Sequence, residues 1–156
     1  MRGKLIALAA LVMAAVAVSG GIADAKPSGK LDSQVIGNVK IDSSDPTVGY
    51  VKARYICEGG PGAHVWVSVK QAESRRPEHW LTEEGSGATA AAWSSSHRNP
   101  VTCDGTWHVD TFTVDQLEFG KGQLEPGQGW VQFCVIPADA PDESVITWSM
   151  RFAAVK

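Results

Sequence analysis

The sequence predicts an all-β domain, because short runs rich in β-branched and aromatic residues recur between clusters of Gly, Pro, Asp and Ser. The clearest run is 63–71, where small apolar and polar side chains alternate over four repeats. Run 49–57 alternates in the same way, and no segment carries a convincing helical period. Six strong strands and one weak strand suit an immunoglobulin-like sandwich of about seven strands, with a small jelly roll or barrel as the alternative.

The seven strands rest on local patterns that differ in strength. In chain order, they are predicted at 35–41, 49–57, 63–71, 88–93, 106–114, 130–136 and 145–154. The first alternates loosely and ends at a Ser-Ser-Asp-Pro break. The fourth is the weak one: it lies in a polar connection, 72–100, where a weak helix is the alternative. The sixth is almost continuously apolar, which is typical of a central strand.

The alternation also predicts which side chains face the core. In 49–57 the inward face carries Val51, Ala53 and Tyr55. In 63–71 the small apolar residues point inward, and the outward face carries His64, Trp66, Ser68 and Lys70. We expect Trp130 and Trp148, on the last two strands, to belong to the core. The pattern of 106–114 does not decide which of its faces points inward.

The N-terminus has the pattern of a cleaved signal peptide over 1–25. Two basic residues precede an unbroken apolar run of 14 residues, 5–18, and small residues stand at Ala23 and Ala25. Residues 26–33 are polar and contain Pro27 and Gly29, which is typical of a flexible leader. The domain is therefore predicted over 34–156.

The net charge and the length of the chain limit the partners and the number of domains that we expect. Without 1–25 the chain has 131 residues, with 12 Lys and Arg against 16 Asp and Glu, a formal charge of −4. Nucleic acid is thus not an expected partner, since phosphate binding needs a basic surface. The length suits a single domain. No apolar run after residue 18 approaches the ~20 residues that a spanning helix needs. We therefore expect a secreted, extracellular protein with no membrane partner after cleavage.

Three cysteines allow one intramolecular disulfide and leave one thiol. If 49–57 and 106–114 are antiparallel neighbours, the end of the first meets the start of the second, which favours a Cys57–Cys103 disulfide. The alternative, Cys57–Cys134, would join facing sheets as in antibody domains. In the favoured case Cys134 is a small buried hydrophobe. No C-x-x-C spacing occurs, so we expect no metal site and no catalytic role for the cysteines.

Several motifs are shared with a known family. They are the strand end 55–57, the strand 65–71, the turn 103–106 followed by His108, and the pair 119–120. With these the chain, over about 57–135, resembles the small secreted immunoglobulin-like domains of actinobacteria, whose function is uncharacterised. The resemblance implies the fold, export and the Cys57–Cys103 pairing, and it implies no catalytic residues. Cys134 and the tryptophan-rich connection depart from the family pattern.

Few residues could carry catalysis. His108 and Asp110 lie two apart on a predicted strand, so their side chains leave the same face, as a metal pair or a base with its orienting partner would. A surface histidine beside an aspartate is the simpler interpretation. The sequence has no H-E-x-x-H, G-x-S-x-G, P-loop or S-x-x-K motif. We therefore expect no enzyme and no cofactor, and a metal-dependent hydrolase that uses His108 and Asp110 is the least favoured alternative.

Three of the six tryptophans point to binding. Trp66 is predicted on the polar face of the clearest strand, and Trp80 and Trp93 lie in the connection that follows. Aromatic rings among polar groups suit sugars, cations or a protein partner. The alternative is that the connection folds back over Trp66 and forms a satellite core.

These patterns together predict a secreted, non-catalytic binding or interaction module. Its ligand, an unidentified extracellular glycan, protein or small molecule, would be bound by Trp66, Trp80 and Trp93. The alternative function is that of a carrier of an apolar small molecule, which an open cleft between the sheet and the connection would favour.

Overall fold

The seven strands of this computed structural model join into one closed, barrel-like sheet. The structure describes residues 31–138 and 144–156. Its strands are β1 (Asp32–Ile41), β2 (Gly49–Ile56), β3 (His64–Gln71), β4 (Ala92–Pro100), β5 (His108–Lys121), β6 (Gly127–Ile136) and β7 (Thr147–Val155). The only helices in the described ranges are two short 3-10 helices, His79–Thr82 and Ser86–Ala88. The predicted all-β class is confirmed. The predicted signal peptide, 1–25, and residues 26–30 of the leader lie outside the described residues.

The strands follow each other around the sheet in the order β1-β2-β5-β4-β3-β6-β7. All neighbours are antiparallel except β1 and β7, which pair in parallel at Val39 and Val155 and close the sheet. A register shift in β1 lies between Ile36 and Lys40, around the residue that pairs with β7. Gly37, in that interval, has a φ of 69°, a left-handed conformation that favours glycine. No helix in 31–138 or 144–156 has the length and hydrophobicity to cross a membrane.

The main core fills the interior of the closed sheet. The predicted inward faces of β2 and β3 are confirmed: Val51, Ala53 and Tyr55 are buried, and so are the valines of β3. Aromatic rings connect opposite walls, because Tyr55 of β2 and Phe112 of β5 both pack on Phe133 of β6, with ring centroids 6.1 and 5.1 Å apart. On β5, which the sequence left unoriented, Phe112 and Val114 face inward.

The placement of Trp148 and Trp130 in the core is wrong. Trp148 is 60% exposed on the outer face of β7, while Thr147, Ala153 and Val155 are its buried positions. Both faces of β7 carry apolar side chains, so alternation alone does not decide which face turns inward. Trp130 is half-buried on the outer face of β6, where its ring packs on Phe152 with centroids 5.0 Å apart.

A second apolar cluster lies on the outside of the sheet, and we call it the outer cluster. It consists of Ala72, Leu81 and Ala90 with Trp80, Trp93, Trp130 and Phe152 packed against them. The connection 72–91 thus folds back onto the strands, with its two 3-10 helices, before β4 begins at Ala92. As a consequence Lys70, which alternation correctly assigns to the outer face, is buried and contacts Ser86 of the connection. Ser68, on the same face, is also buried.

Candidate functional site

An open cavity lies between the connection 82–88 and the outer face of the sheet, and we call it the outer cavity. Its volume is about 620 Å³. Its strand wall carries Trp66, Lys70, Trp93, Gln132 and Met150, and its other wall carries Thr82, Glu84, Gly85, Gly87 and Ala88. Strand register explains why the residues of the strand wall share one face. Lys70 pairs with Trp93 across β3 and β4, and Gln132 pairs with Met150 across β6 and β7. Directly paired residues point to the same side of a sheet.

Stacking holds Trp66 in place at one end of the outer cavity. Its indole lies parallel to the His97 ring of β4, with centroids 5.3 Å apart and an interplanar angle of 16°. Glu118 of β5 orients that imidazole, since its Oε2 lies 3.0 Å from His97 Nδ1. Phe119 packs edge-on against the same ring. The indole face of Trp66 is therefore presented by a chain of contacts that spans β3, β4 and β5.

Trp93 is held by a close approach of the connection. A Cβ atom on Gly87 would come within 2.7 Å of the Trp93 ring, so only glycine fits at this position without displacement of the indole. The ring is also parallel to Phe119, with centroids 6.2 Å apart. Gly85, with a φ of 74°, supplies the left-handed turn that starts the second 3-10 helix. Two glycines thus let the connection lie flat against the sheet.

Lys70 is the charged group of the outer cavity. Its side chain is 4% exposed, and its Nζ donates a hydrogen bond to Ser86 Oγ at 2.7 Å. The Ser86 hydroxyl in turn donates to the Leu81 carbonyl oxygen at 2.9 Å, so its proton is not available to Lys70. Burial lowers the pKa of the Lys70 amine.

Two of the tryptophans that line the outer cavity carry indole N–H groups without an acceptor in the described part of the chain. The indole N–H groups of Trp66 and Trp93 are buried and find no acceptor among the described residues. Gln132 Oε1 already accepts from Ser68 Oγ at 3.3 Å. Buried donors without acceptors are rare in native proteins, because each forfeits its hydrogen bond to water. A ligand with acceptor atoms suits this lining.

Two of the three predicted ligand residues lie in the same cavity wall. Trp66 and Trp93 line the outer cavity, whereas Trp80 belongs to the outer cluster and is not part of the cavity wall. The sequence reasoning missed Gln132 and Met150, and it left Lys70, which it placed on the outer face beside Trp66, out of the ligand residues. Lys70 had a usable signal, because it shares the outward face of β3 with Trp66. Gln132 and Met150 had none, since their place depends on the pairing of β6 with β3 and β7.

The histidine and aspartate that could form a catalytic pair have separate partners. His108 Nε2 lies 2.9 Å from Asp104 Oδ1, and the His108 ring stacks on Tyr55. The Tyr55 hydroxyl donates to Asp110 Oδ2 at 2.9 Å. Burial, with the Asp110 hydrogen bond as a second cause, raises the pKa of Tyr55 to about 12. Hydrogen bonds from His108 and Thr106 hold the pKa of Asp104 well below its usual range. Within the described residues, no three His, Cys, Asp or Glu side chains gather as a metal site would require.

The disulfide joins Cys57 to Cys103, as predicted, with Cα atoms 4.6 Å apart. The alternative pairing with Cys134 is wrong, because that residue lies on the outer face of β6, paired with Trp66, while Cys57 belongs to the main core. The Cys134 thiol is buried, and burial raises its pKa to about 11. The thiol is therefore protonated and inert at neutral pH.

Comparisons with known proteins give only distant likenesses. No protein-family model matches the chain, and no curated protein sequence does. Among solved structures it is similar to the CARDB domain of a Pyrococcus furiosus protein in complex with di-metal ions, with a TM-score of 0.34 and 10% identity over 81% of this chain and 93% of that one. It is also similar to a β-glucosidase from Kluyveromyces marxianus, with a TM-score of 0.32 and 11% identity over 83% of this chain and 15% of that one. Neither likeness assigns a family or a function to the chain.

Proposed function

We propose that this protein is an exported, non-catalytic binding module whose ligand occupies the outer cavity. The observation that carries the proposal is the lining of that cavity: two tryptophans from adjacent strands with unpaired indole N–H groups, beside a buried lysine. Its volume of about 620 Å³ falls in the range of ligand pockets, roughly 300–1,000 Å³. Apolar walls with a few convergent polar groups are typical of such pockets.

Export is supported by two independent features. The N-terminal 25 residues have the composition of a cleaved signal peptide. The Cys57–Cys103 disulfide suits an oxidising compartment, because disulfides rarely persist in the cytosol.

We also propose that the closed sheet is a variant of the immunoglobulin-like sandwich. The order β1-β2-β5-β4 corresponds to the ABED sheet of a constant-type domain, and β3-β6-β7 corresponds to its CFG sheet. Here β4 pairs with both β5 and β3, which joins the two sheets on one side. This topology supports the immunoglobulin-like fold, which is the fold that the motif resemblance implies.

A carrier of an apolar small molecule is the second candidate function, and the outer cavity itself favours it. The walls formed by Trp66, Trp93 and Met150 would accept an apolar body of small-molecule size. The two functions predict different ligands, because a glycan would use polar hydroxyls along the rim, whereas a carried molecule would be enclosed.

Ligand-observed NMR tests the proposal. The folded protein is screened against a fragment library and against cell-wall glycan fragments, with wild type, Trp66→Ala and Trp107→Ala compared. Trp107 is a matched control because it is 47% exposed, and its ring packs against Arg54 instead of the outer cavity. We expect to find compounds that bind wild type and Trp107→Ala but do not bind Trp66→Ala. Hits that are all equally strong in the three proteins would refute the proposed site.

Gly87→Ala provides a second test, in which no side chain of the outer cavity is removed. The added Cβ displaces the Trp93 ring, since it would otherwise lie 2.7 Å from it. We expect the same hits to weaken at least several-fold, while the thermal unfolding midpoint shows that the domain remains folded. Unchanged affinity in a folded Gly87→Ala variant, with a shifted Trp93 indole resonance, would remove Trp93 from the site.

A further inference from the structure

Lys70 is a buried cation without a partner of opposite charge. Its side chain is 4% exposed, and its hydrogen bond goes to a neutral hydroxyl, that of Ser86. None of the ion pairs of the described residues includes it. Buried charges in proteins are nearly always paired, because the loss of hydration is otherwise uncompensated. An anion in the outer cavity would supply the missing partner.

The other polar groups of the cavity favour the same ligand charge. The Trp66 and Trp93 N–H groups can only donate, and both lack acceptors among the described residues. With Lys70 Nζ they make three donor groups on residues that line the outer cavity. The carboxylate among the lining residues belongs to Glu84, which is exposed on the connection. Glu84 would repel any anion, and would repel a dianion more strongly than a monoanion, so a ligand with a single anionic group is favoured.

The body of the ligand follows from the apolar part of the lining. The rings of Trp66 and Trp93 and the Met150 side chain present flat or flexible apolar surface to the cavity. Such walls favour a planar or aliphatic group over a hydrated one, because burial of apolar surface is the main favourable contribution to binding.

We propose that the outer cavity binds a small organic carboxylate with a planar or apolar body, and that its carboxylate pairs with Lys70. This inference rests on the proposed function, since it assigns the ligand class of the same site. One cation matches one carboxylate.

The test compares each acid with its neutral amide by isothermal titration calorimetry, with indole-3-acetate against indole-3-acetamide and 1-naphthoate against 1-naphthamide. We expect wild type to bind at least one acid about tenfold or more tightly than its amide, as hydrogen bonds to charged groups imply. Lys70→Met should abolish that preference and leave the amide unaffected. Lys52→Met, at an exposed lysine of β2, should preserve it. Glu84→Gln should strengthen acid binding.

The outcomes separate this inference from the proposed function. If an acid and its amide bind equally and both are lost in Trp66→Ala, the site stands and the anionic class is overturned. If no acid binds at millimolar concentration, the class is overturned, and the NMR screen alone decides the site. The wild-type comparison needs no variant, so the inference stays testable even if Lys70→Met does not fold. Folding is nonetheless expected, because an apolar side chain of similar size replaces a buried charge.

Discussion

Removal of the Cys57–Cys103 disulfide should destabilise the domain by about 4 kcal/mol. The two cysteines are separated by 46 residues, and the chain-entropy model converts a loop of that length into about 4 kcal/mol at 25 °C. Small domains are stable by roughly 5–15 kcal/mol, so the change removes a large fraction of the total. The loop includes β3, the connection 72–91 and β4, which together form most of the outer cavity.

The perturbation is the double variant Cys57→Ala with Cys103→Ala, and its control is Cys134→Ala. Cys134 is also buried, but it is not part of a disulfide, so its substitution should cost only about 1 kcal/mol. Urea unfolding followed by circular dichroism gives both free energies from the midpoint and slope. If the double variant is within about 1 kcal/mol of the control, the loop-entropy reasoning fails. Three reactive thiols in unfolded, unreduced wild type, instead of one, would refute the disulfide itself.

Three further predictions concern other parts of the fold. Leu81→Ala should cost about 2 to 5 kcal/mol in urea unfolding, because Leu81 is fully buried in the outer cluster; Leu117→Ala, at a residue 78% exposed, should stay within about 0.5 kcal/mol. The free energy of unfolding should fall as the pH rises from about 10 to 12. The pKa of Tyr55 is about 12 in the folded protein and about 10 in the unfolded chain, so in this range unfolding releases the Tyr55 proton. Tyr55→Phe should show a smaller fall, and the same fall in wild type and variant would refute the reasoning. A thiol reagent should find no fast-reacting cysteine in the native protein and one, Cys134, after unfolding without reductant.

Elements with one apolar face were predicted well. Strands β2 and β3 have period-two alternation, and their inward side chains are those that the sequence indicated. The disulfide was also predictable, because antiparallel pairing of β2 with β5 brings Cys57 and Cys103 together at one end. In each case the deciding information lies within a strand or at its end.

The errors fall where alternation does not reveal which face of a strand is covered. Trp148 was assigned to the core because it shares an apolar face of β7 with Met150 and Phe152, yet its side chain is 60% exposed. Lys70 was expected in water, yet the connection covers it. β4 was predicted to start at Ala88 and to be weak, because its Ser-rich segment has no hydrophobic period, although Ser94, Ser95 and Ser96 are all buried.

The sequence by itself determined the all-β class and the inward faces of the alternating strands, since these depend on a period of two within each strand. It favoured the Cys57–Cys103 pair but left Cys57–Cys134 open, because the two cysteines are 46 residues apart and their approach depends on strand pairing. Only the tertiary structure decided that the connection folds over the outer face, that Lys70 is buried there and that Trp66 and Trp93 share a cavity from which Trp80 is absent. The physical reason is that these features depend on contacts between segments distant in sequence. No local pattern of hydrophobicity records which surface a polar, glycine-containing connection will cover.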